Sequence, residues 1–446
     1  HRDLHSFPTR RSSDLAVGNR VIVQRRFFSD YQEISVESEM TGAVALKSDD
    51  EASIAKITRH SHLLAAQLQA LRSQMYPPEA KKSLKTFTSR EAASMVGIAE
   101  STLRQMSLDG ESAAPELHGK DNRRRAYTLA QINEIREHLA QKRPKDALNF
   151  LPRRRPHEKL QIVAVANFKG GSAKTTTTVH LAHFLALQGL RILAIDLDPQ
   201  ASLSTMFGFQ PELDVDDNQT IYGAIRYDDD LRVPLRSVIR KTYFDGVDLV
   251  PGNLELMEYE HETPQAIARG DGRGEAMFFR RLRSVIGSVE DDYDVVLIDA
   301  PPQLGYLTLG ALYAATALLV TVHPAMLDVS SMNQFLKMTS DILQVIQENG
   351  GSLQHDFIRY VLTRHNPHDV PQVNIVALLR SLFGEDVLAP VVVETTAIAN
   401  AGLEKKSLYE MARGTVGRDT LTRALESVDA VNQEILKHLK QVWGRA

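Results

Sequence analysis

At 446 residues, 43% apolar and 24% charged, the chain is too long for one ordinary hydrophobic core and predicts two to three domains. It has no cysteine, which excludes disulfides and thiolate-held iron–sulfur clusters, and no apolar run near ~18 residues, so a membrane span has no support. The net charge of −4 is uneven: residues 81–158 hold 16 Lys and Arg against 10 Asp and Glu while the rest holds 36 against 46, the pattern of a module facing nucleic acid on an acidic body.

In chain order, residues 1–39 lack useful periodicity and begin without methionine. They read as translated sequencing-adaptor sequence ahead of a natural start at Met40, or as a real basic, flexible tail; residues 1–50 are expected to be disordered or non-native. Within 51–80, Ile57, Leu64, Leu68, Leu71 and Met75 recur at helical spacing, predicting a helix over 53–75 stopped by Pro77-Pro78. Its short apolar seam suits dimerisation or packing on its own domain equally.

Residues 81–143 read as one module. Thr88-Ser89-Arg90-Glu91 is a capping box opening a short helix, Gly97 turns the chain, and Glu100 to Leu108 forms a second helix. Lys120 to Tyr127, with Arg123, Arg124 and Arg125, then reads as a basic wing, and Thr128 to Gln131 caps a helix carrying Ile132, Ile135 and Leu139 on one face. The arrangement resembles a MerR-like winged helix-turn-helix, in which the second helix would present Ser101, Thr102, Arg104 and Gln105 to the major groove while the arginine wing meets phosphates. A small helical interaction domain with a solvated basic loop is the alternative. Residues 144–160, rich in proline and holding Arg153-Arg154-Arg155, read as a linker whose arginines could touch DNA or simply be solvated.

From 161 to 446 strands and helices alternate, predicting an α/β fold: a P-loop, doubly wound, mostly parallel sheet beside the smaller helical N-terminal domain. A buried strand over 162–166 leads through Lys169-Gly170-Gly171-Ser172-Ala173-Lys174-Thr175-Thr176 into a helix stopped by Gly189. In such a loop backbone N–H groups close around an anion, Lys174 reaches the β and γ phosphates, and the Thr175 hydroxyl sits on Mg²⁺. A second strand ends in Asp196-Leu197-Asp198-Pro199-Gln200. A third ends in Asp299-Ala300-Pro301-Pro302, where a carboxylate after four apolar residues suits water-mediated metal binding. Further strands are predicted at 317–322 and 357–363. Leu421, Leu425, Val428, Ile435, Leu439 and Val442 give a C-terminal helix one apolar face, and its mixed charges favour core packing over membrane attachment.

The ordered motifs K-G-G-x-x-K-T, D-x-D-P-Q and D-x-P-P resemble those of the ParA/MinD family of deviant-Walker P-loop ATPases. The resemblance implies ATP and Mg²⁺ as cofactors and Lys169, Lys174 and Asp198 as catalytic residues. Lys169 would cross to the partner's nucleotide in an ATP-sandwich homodimer. Asp198 would position the attacking water, and Thr175, Asp196 and Asp299 would lie around the metal. It further implies a plasmid partition ATPase of the cytoplasm and nucleoid, working with operator and nucleoid DNA and a ParB-like centromere-binding partner, and repressing its own operon. A transcriptional repressor whose ATP site only tunes DNA affinity is the alternative. Thr363 to Pro367 falls where the family approaches adenine, while Arg364, Arg380, Lys405, Lys406 and Arg413 are candidate non-specific DNA contacts.

Overall fold

The computed structural model describes residues 49–75, 82–109, 116–118, 124–167, 169–270, 277–348, 350–351, 353–411 and 417–445. Residues 1–48 of the expected 1–50 tail, Arg123, Phe168 and Arg413 lie outside them, as do the side chains of Arg124 and Arg125. The chain divides into two compact units, 1–77 and 78–446. In the first, α1 (Asp49–Met75) is a single helix that begins four residues before the expected start, and its acidic Asp49-Asp50-Glu51 opening suits the positive end of a helix dipole.

The second unit opens with β1 (Phe87–Thr88), α2 (Ser89–Val96), α3 (Glu100–Leu108), β2 (Glu116–His118), β3 (Arg124–Tyr127) and α4 (Leu129–Lys142). The three strands form an antiparallel sheet in the order β1-β3-β2. Both expected capping boxes are closed: Thr88 with Glu91, and Thr128 with Gln131. Between α2 and α3, Gly97 sits at φ 81°, the left-handed conformation that ends a helix cheaply only at glycine. Ala92, Val96, Leu103, Met106, Tyr127, Ile132, Ile135 and Leu139 are buried together, in an apolar cluster continuous with one face of the large sheet.

Residues 144–160 are fastened to that larger body, with Pro144–Asp146 and Ala147–Phe150 forming helical turns and Phe150 buried. The Arg154 side chain is 6% exposed. Its guanidinium donates to the carbonyls of Tyr293, Glu158 and Glu290, so this arginine belongs to the packing and not to a solvated run.

The body is a seven-stranded sheet, β10-β9-β4-β8-β5-β7-β6, built from β4 (Gln161–Ala166), β5 (Ile192–Asp196), β6 (Arg240–Lys241), β7 (Val247–Val250), β8 (Val295–Asp299), β9 (Ala317–Val322) and β10 (Phe357–Leu362). Every pairing is parallel except that of edge strand β6. Strands covered on both faces favour apolar side chains on both, so β4, β5, β8 and β9 are apolar apart from Gln161, Asp196, Asp299 and Thr321. Alternate residues feed two cores. Val163 and Val165 pack with α5 (Lys174–Leu187) and the C-terminal helix 418–442, while Ile162 and Ala164 pack with helices over 256–269, 278–287 and 306–314. The C-terminal helix buries Val428, Ile435 and Leu439 of its expected apolar face together with Val431, while Leu421, Leu425 and Val442 are half-buried.

Thr128 caps α4 by accepting from Gln131 N at 3.2 Å. Thr128→Ala should cost about 1 kcal/mol and appear as faster amide exchange over 129–142, with the exchange of β4 and β8 unchanged.

Candidate nucleotide site

Strand β4 lies inside the sheet between β9 and β8, and chain order reverses across it. The crevice beyond its C-terminal end is where open α/β sheets bind ligands. The loop leaving β4 is held there by its neighbours. Asn167 Nδ2 donates to Thr321 O on β9, and Asn167 Oδ1 accepts from Lys169 N at 3.1 Å. Thr321 Oγ1 bonds Ser172 Oγ at 3.1 Å, and Thr363 Oγ1, just past β10, donates to Ser172 O at 3.1 Å. Gly171 and Ala173 both adopt left-handed backbone, at φ 80° and 67°. For Ala173 this costs on the order of 1 kcal/mol, a strain held by these bonds where glycine would carry none.

The two lysines occupy different surroundings. Lys174, the first residue of α5, is buried, with Nζ 3.2 Å from Lys169 O. Burial lowers its proton affinity, while Asp299 and then Asp198 raise it. Lys169 is part-exposed, and its Nζ lies 2.7 Å from Asp328 Oδ2 in the first turn of helix 326–348. Lys169 is the exposed member of this pair, and the Asp328 carboxylate is buried, so Lys169 can leave only if that carboxylate finds another partner. Asp328 is 159 positions from Lys169 and nothing in the local sequence marks it.

Strands β5 and β8 place Asp196 opposite Asp299, and both carboxylates are buried. Asp299 accepts from Thr175 Oγ1 at 2.6 Å and from Thr178 Oγ1 at 3.3 Å. Asp196 accepts from Ser204 N at 2.8 Å, Ser204 Oγ at 2.7 Å and Asp198 N at 3.2 Å. Burial raises the pKa of both, followed for Asp299 by repulsion from Asp196, while the Ser204, Asp198, Thr175 and Lys174 contacts oppose the rise only in part. Asp198 is half-buried and accepts from Gln200 N at 2.9 Å in a tight turn. Above Asp196 runs the segment 251–253, where a Cβ on Gly252 would stand 3.0 Å from Asp198 O and 3.1 Å from Asp196 Cγ. Any larger residue there would press on the Asp198 carbonyl and the Asp196 carboxylate.

These residues fit Mg²⁺. Two buried carboxylates have only the Lys174 ammonium as partial counter-charge, and a hydroxyl with carboxylate oxygens is a hard donor set. Among the described residues no three His, Cys, Asp or Glu side chains are grouped to hold an ion alone. A cation here would therefore complete its shell with water and phosphate oxygens.

Lys169, Gly170, Gly171, Ser172, Ala173, Lys174, Thr175, Thr176, Asp196, Asp198 and Asp299 thus lie on one loop and two adjoining strand ends. Spacing could have flagged Thr178, one helical turn beyond Lys174; Asn167, Ser204 and Asp328 carried no such mark. Arg364 lies at the loop itself, at φ 53° with Nη1 3.4 Å from Gly171 O. Arg380 donates to Ala389 O, and Lys406 pairs with Glu404. In the N-terminal module Ser101, Arg104 and Gln105 are exposed and Thr102 half-buried on α3, while Leu103 and Met106 point inward.

Because burial raises the Asp299 pKa, the ionised form works against folding, and the nucleotide-free protein loses stability as pH rises from the acid range through neutrality. Asp299→Asn should remove that loss, stabilising the nucleotide-free protein by about 1–3 kcal/mol above neutral pH while abolishing Mg²⁺-dependent ATP turnover. Urea unfolding at acidic and alkaline pH checks the first effect and phosphate release the second.

A family model described as AAA domain matches residues 160–350. A protein named replication protein A from Rhizobium rhizogenes is 49% identical over 393 residues, spanning 88% of this chain and 96% of its own. SopA of Escherichia coli K12 is 30% identical over 339 residues, spanning 75% and 83%. A solved structure named Partition Protein shares the fold at a TM-score of 0.59 and 21% identity, over 87% of this chain and 99% of its own. With its three motifs gathered at one end of a doubly wound sheet and relatives of this likeness along most of its length, the chain belongs to the ParA/MinD family of P-loop ATPases, in its RepA-like, partition-type group.

Proposed function

We propose that the protein is a plasmid partition ATPase that binds ATP with Mg²⁺, forms a homodimer around two nucleotides, and hydrolyses ATP slowly until a ParB-like centromere-binding partner stimulates it. The observation that carries this reading is the pair of lysines on one phosphate loop, one buried beside Asp299 and Asp198, the other part-exposed and paired with Asp328. Lys174 and the backbone N–H groups of residues 170–176 hold the phosphates of their own subunit's nucleotide, since anions bind at helix N-termini with converging amides. Lys169 leaves Asp328 and reaches the partner's nucleotide. Mg²⁺, when bound, supplies the charge that neutralises phosphate oxygens and the buried carboxylates. Thr175, Asp196 and Asp299 would hold it. Asp198 orients the attacking water from the mouth of the site.

The N-terminal module binds DNA. Ser101, Thr102, Arg104 and Gln105 face the major groove from α3, and Arg123, Arg124 and Arg125 meet phosphates. Specific binding lets the protein repress its own operon, and binding to nucleoid DNA places it in the cytoplasm on the nucleoid. Among the described residues no helix is long and apolar enough to cross a membrane.

Single-turnover hydrolysis with and without the partner tests the nucleotide cycle. Lys174→Ala should fail to bind ATP. Lys169→Ala should bind it but lose ATP-dependent dimerisation. Asp198→Ala should bind and dimerise while losing hydrolysis, since its role belongs to the chemical step. A wild-type rate in Asp198→Ala with the partner present would assign the water to another residue.

Footprinting and salt titration test the DNA reading. Arg104→Ala should relax base specificity at a cost of roughly 1–3 kcal/mol, and alanines at Arg123 to Arg125 should weaken binding to all sequences and flatten its salt dependence.

A further inference from the structure

Two cations of the N-terminal module end on the backbone of the ATPase body, each at the far end of an element that starts at the nucleotide site. Arg136, on α4, is 1% exposed, and its Nη2 donates to Leu187 O at 2.6 Å and to Met95 O at 2.8 Å. Leu187 is the last residue of α5, whose first two are Lys174 and Thr175, and Met95 lies in the last turn of α2. One guanidinium therefore caps the C-termini of both helices, where carbonyls lack intrahelical partners and the dipole is negative. The turn after α5 is shaped around it: Gly189 has φ +93°, and a Cβ there would stand 3.2 Å from Arg136 Cδ. Arg136 Nη1 also donates to Asn133 Oδ1 at 2.7 Å, and Asn133 Nδ2 donates to Asp245 of the body at 2.6 Å.

Lys82 makes the same kind of contact elsewhere. Its Nζ donates at 2.7 Å to the carbonyl of Met206, the last residue of the short helix Ser202–Met206 that follows Asp198-Pro199-Gln200, and it pairs with Glu410 at 2.9 Å. The two segments beginning at the phosphate loop and at the Asp198 turn are thus each gripped at their distal ends by the N-terminal module.

We propose that Arg136, assisted by Lys82, couples the nucleotide state of the ATPase site to the position of the α2–α3 helix pair, and through it to DNA affinity; the DNA part rests on the reading of α3 given above. Helix α5 has 14 residues, a rod of about 21 Å at 1.5 Å per residue. A shift at Lys174 reaches Leu187 because packed helices move as rigid pieces. Arg136 must then carry Met95 with it or give up one of two carbonyls, and a buried carbonyl left unpaired is costly. Coupling is reciprocal, so DNA on α3 alters nucleotide affinity by the same factor.

The test uses Arg136→Lys, which keeps the cation but loses the fork that spans two carbonyls, and Lys82→Met as an independent variant should the first not fold. Two readouts are taken with Mg²⁺–ADP and with Mg²⁺ and a non-hydrolysable ATP analogue. One is amide exchange over 89–108 without DNA. The other is the Kd for a duplex of the promoter region upstream of its own gene, with a random-sequence duplex as control. In wild type, exchange over 89–96 responds to the nucleotide, and the two Kd values differ by about fivefold or more. In the variants, with nucleotide affinity retained, the exchange response disappears and the Kd ratio falls to within about twofold. Variants that keep the wild-type exchange response, or a wild type whose helix 89–96 ignores the nucleotide, overturn the coupling. Loss of the exchange response in a protein that binds neither duplex would support the coupling and instead sink the DNA-binding reading.

Discussion

The structure turns on negative charge buried at the C-terminal end of its sheet. Parallel pairing in register sets Asp196 beside Asp299, and both are closed off from water. Neither hydroxyl donors nor the nearby Lys174 ammonium offsets that burial, which keeps both carboxyls above their ordinary range. Such a site is poor for the empty protein and well suited to a cation with phosphates. Stability is sacrificed where binding needs charge, a common cost at functional sites.

That charge would be useless on a mobile loop. The phosphate loop is tied through Asn167 and Ser172 to Thr321 and through Ser172 to Thr363, so two neighbouring strands fix its shape. These bonds also hold Ala173 in a left-handed conformation that its Cβ disfavours. Gly252, close over Asp196 and Asp198, completes the enclosure from the other side. The two lysines divide the remaining work by their exposure: Lys174 is confined to its own loop, while the side chain of Lys169 is 37% exposed and tethered by a single acidic partner.

Behind the site, the same elements lead outward to the N-terminal module. Helix α5 and the turn 202–206 begin among the nucleotide-facing residues and finish under Arg136 and Lys82. The shared apolar cluster from Ala92 and Leu103 to Val163 and Leu185 makes the module an extension of one sheet face. Even residues 144–160, proline-rich and basic in sequence, are bound to the body through Arg154 and Arg445.

Much of this was legible from local chemistry. The apolar runs of β4, β5, β8 and β9, the capping boxes at Thr88 and Thr128, the left-handed glycine turn at Gly97 and the three motif segments follow from propensity, periodicity and loop geometry within a few residues. The sequence by itself therefore determined the fold class and the motif segments that gather at one end of the sheet. It could not determine which distant groups would meet: Lys169 with Asp328 across 159 positions, Lys82 with Glu410 across 328, or Arg136 with Leu187. Nor could it say that Arg154 would be buried while Arg104 stayed exposed. Those pairings depend on how layers stack, and a buried cation finds its carbonyls only after the chain has been brought together by packing that no short stretch of sequence encodes.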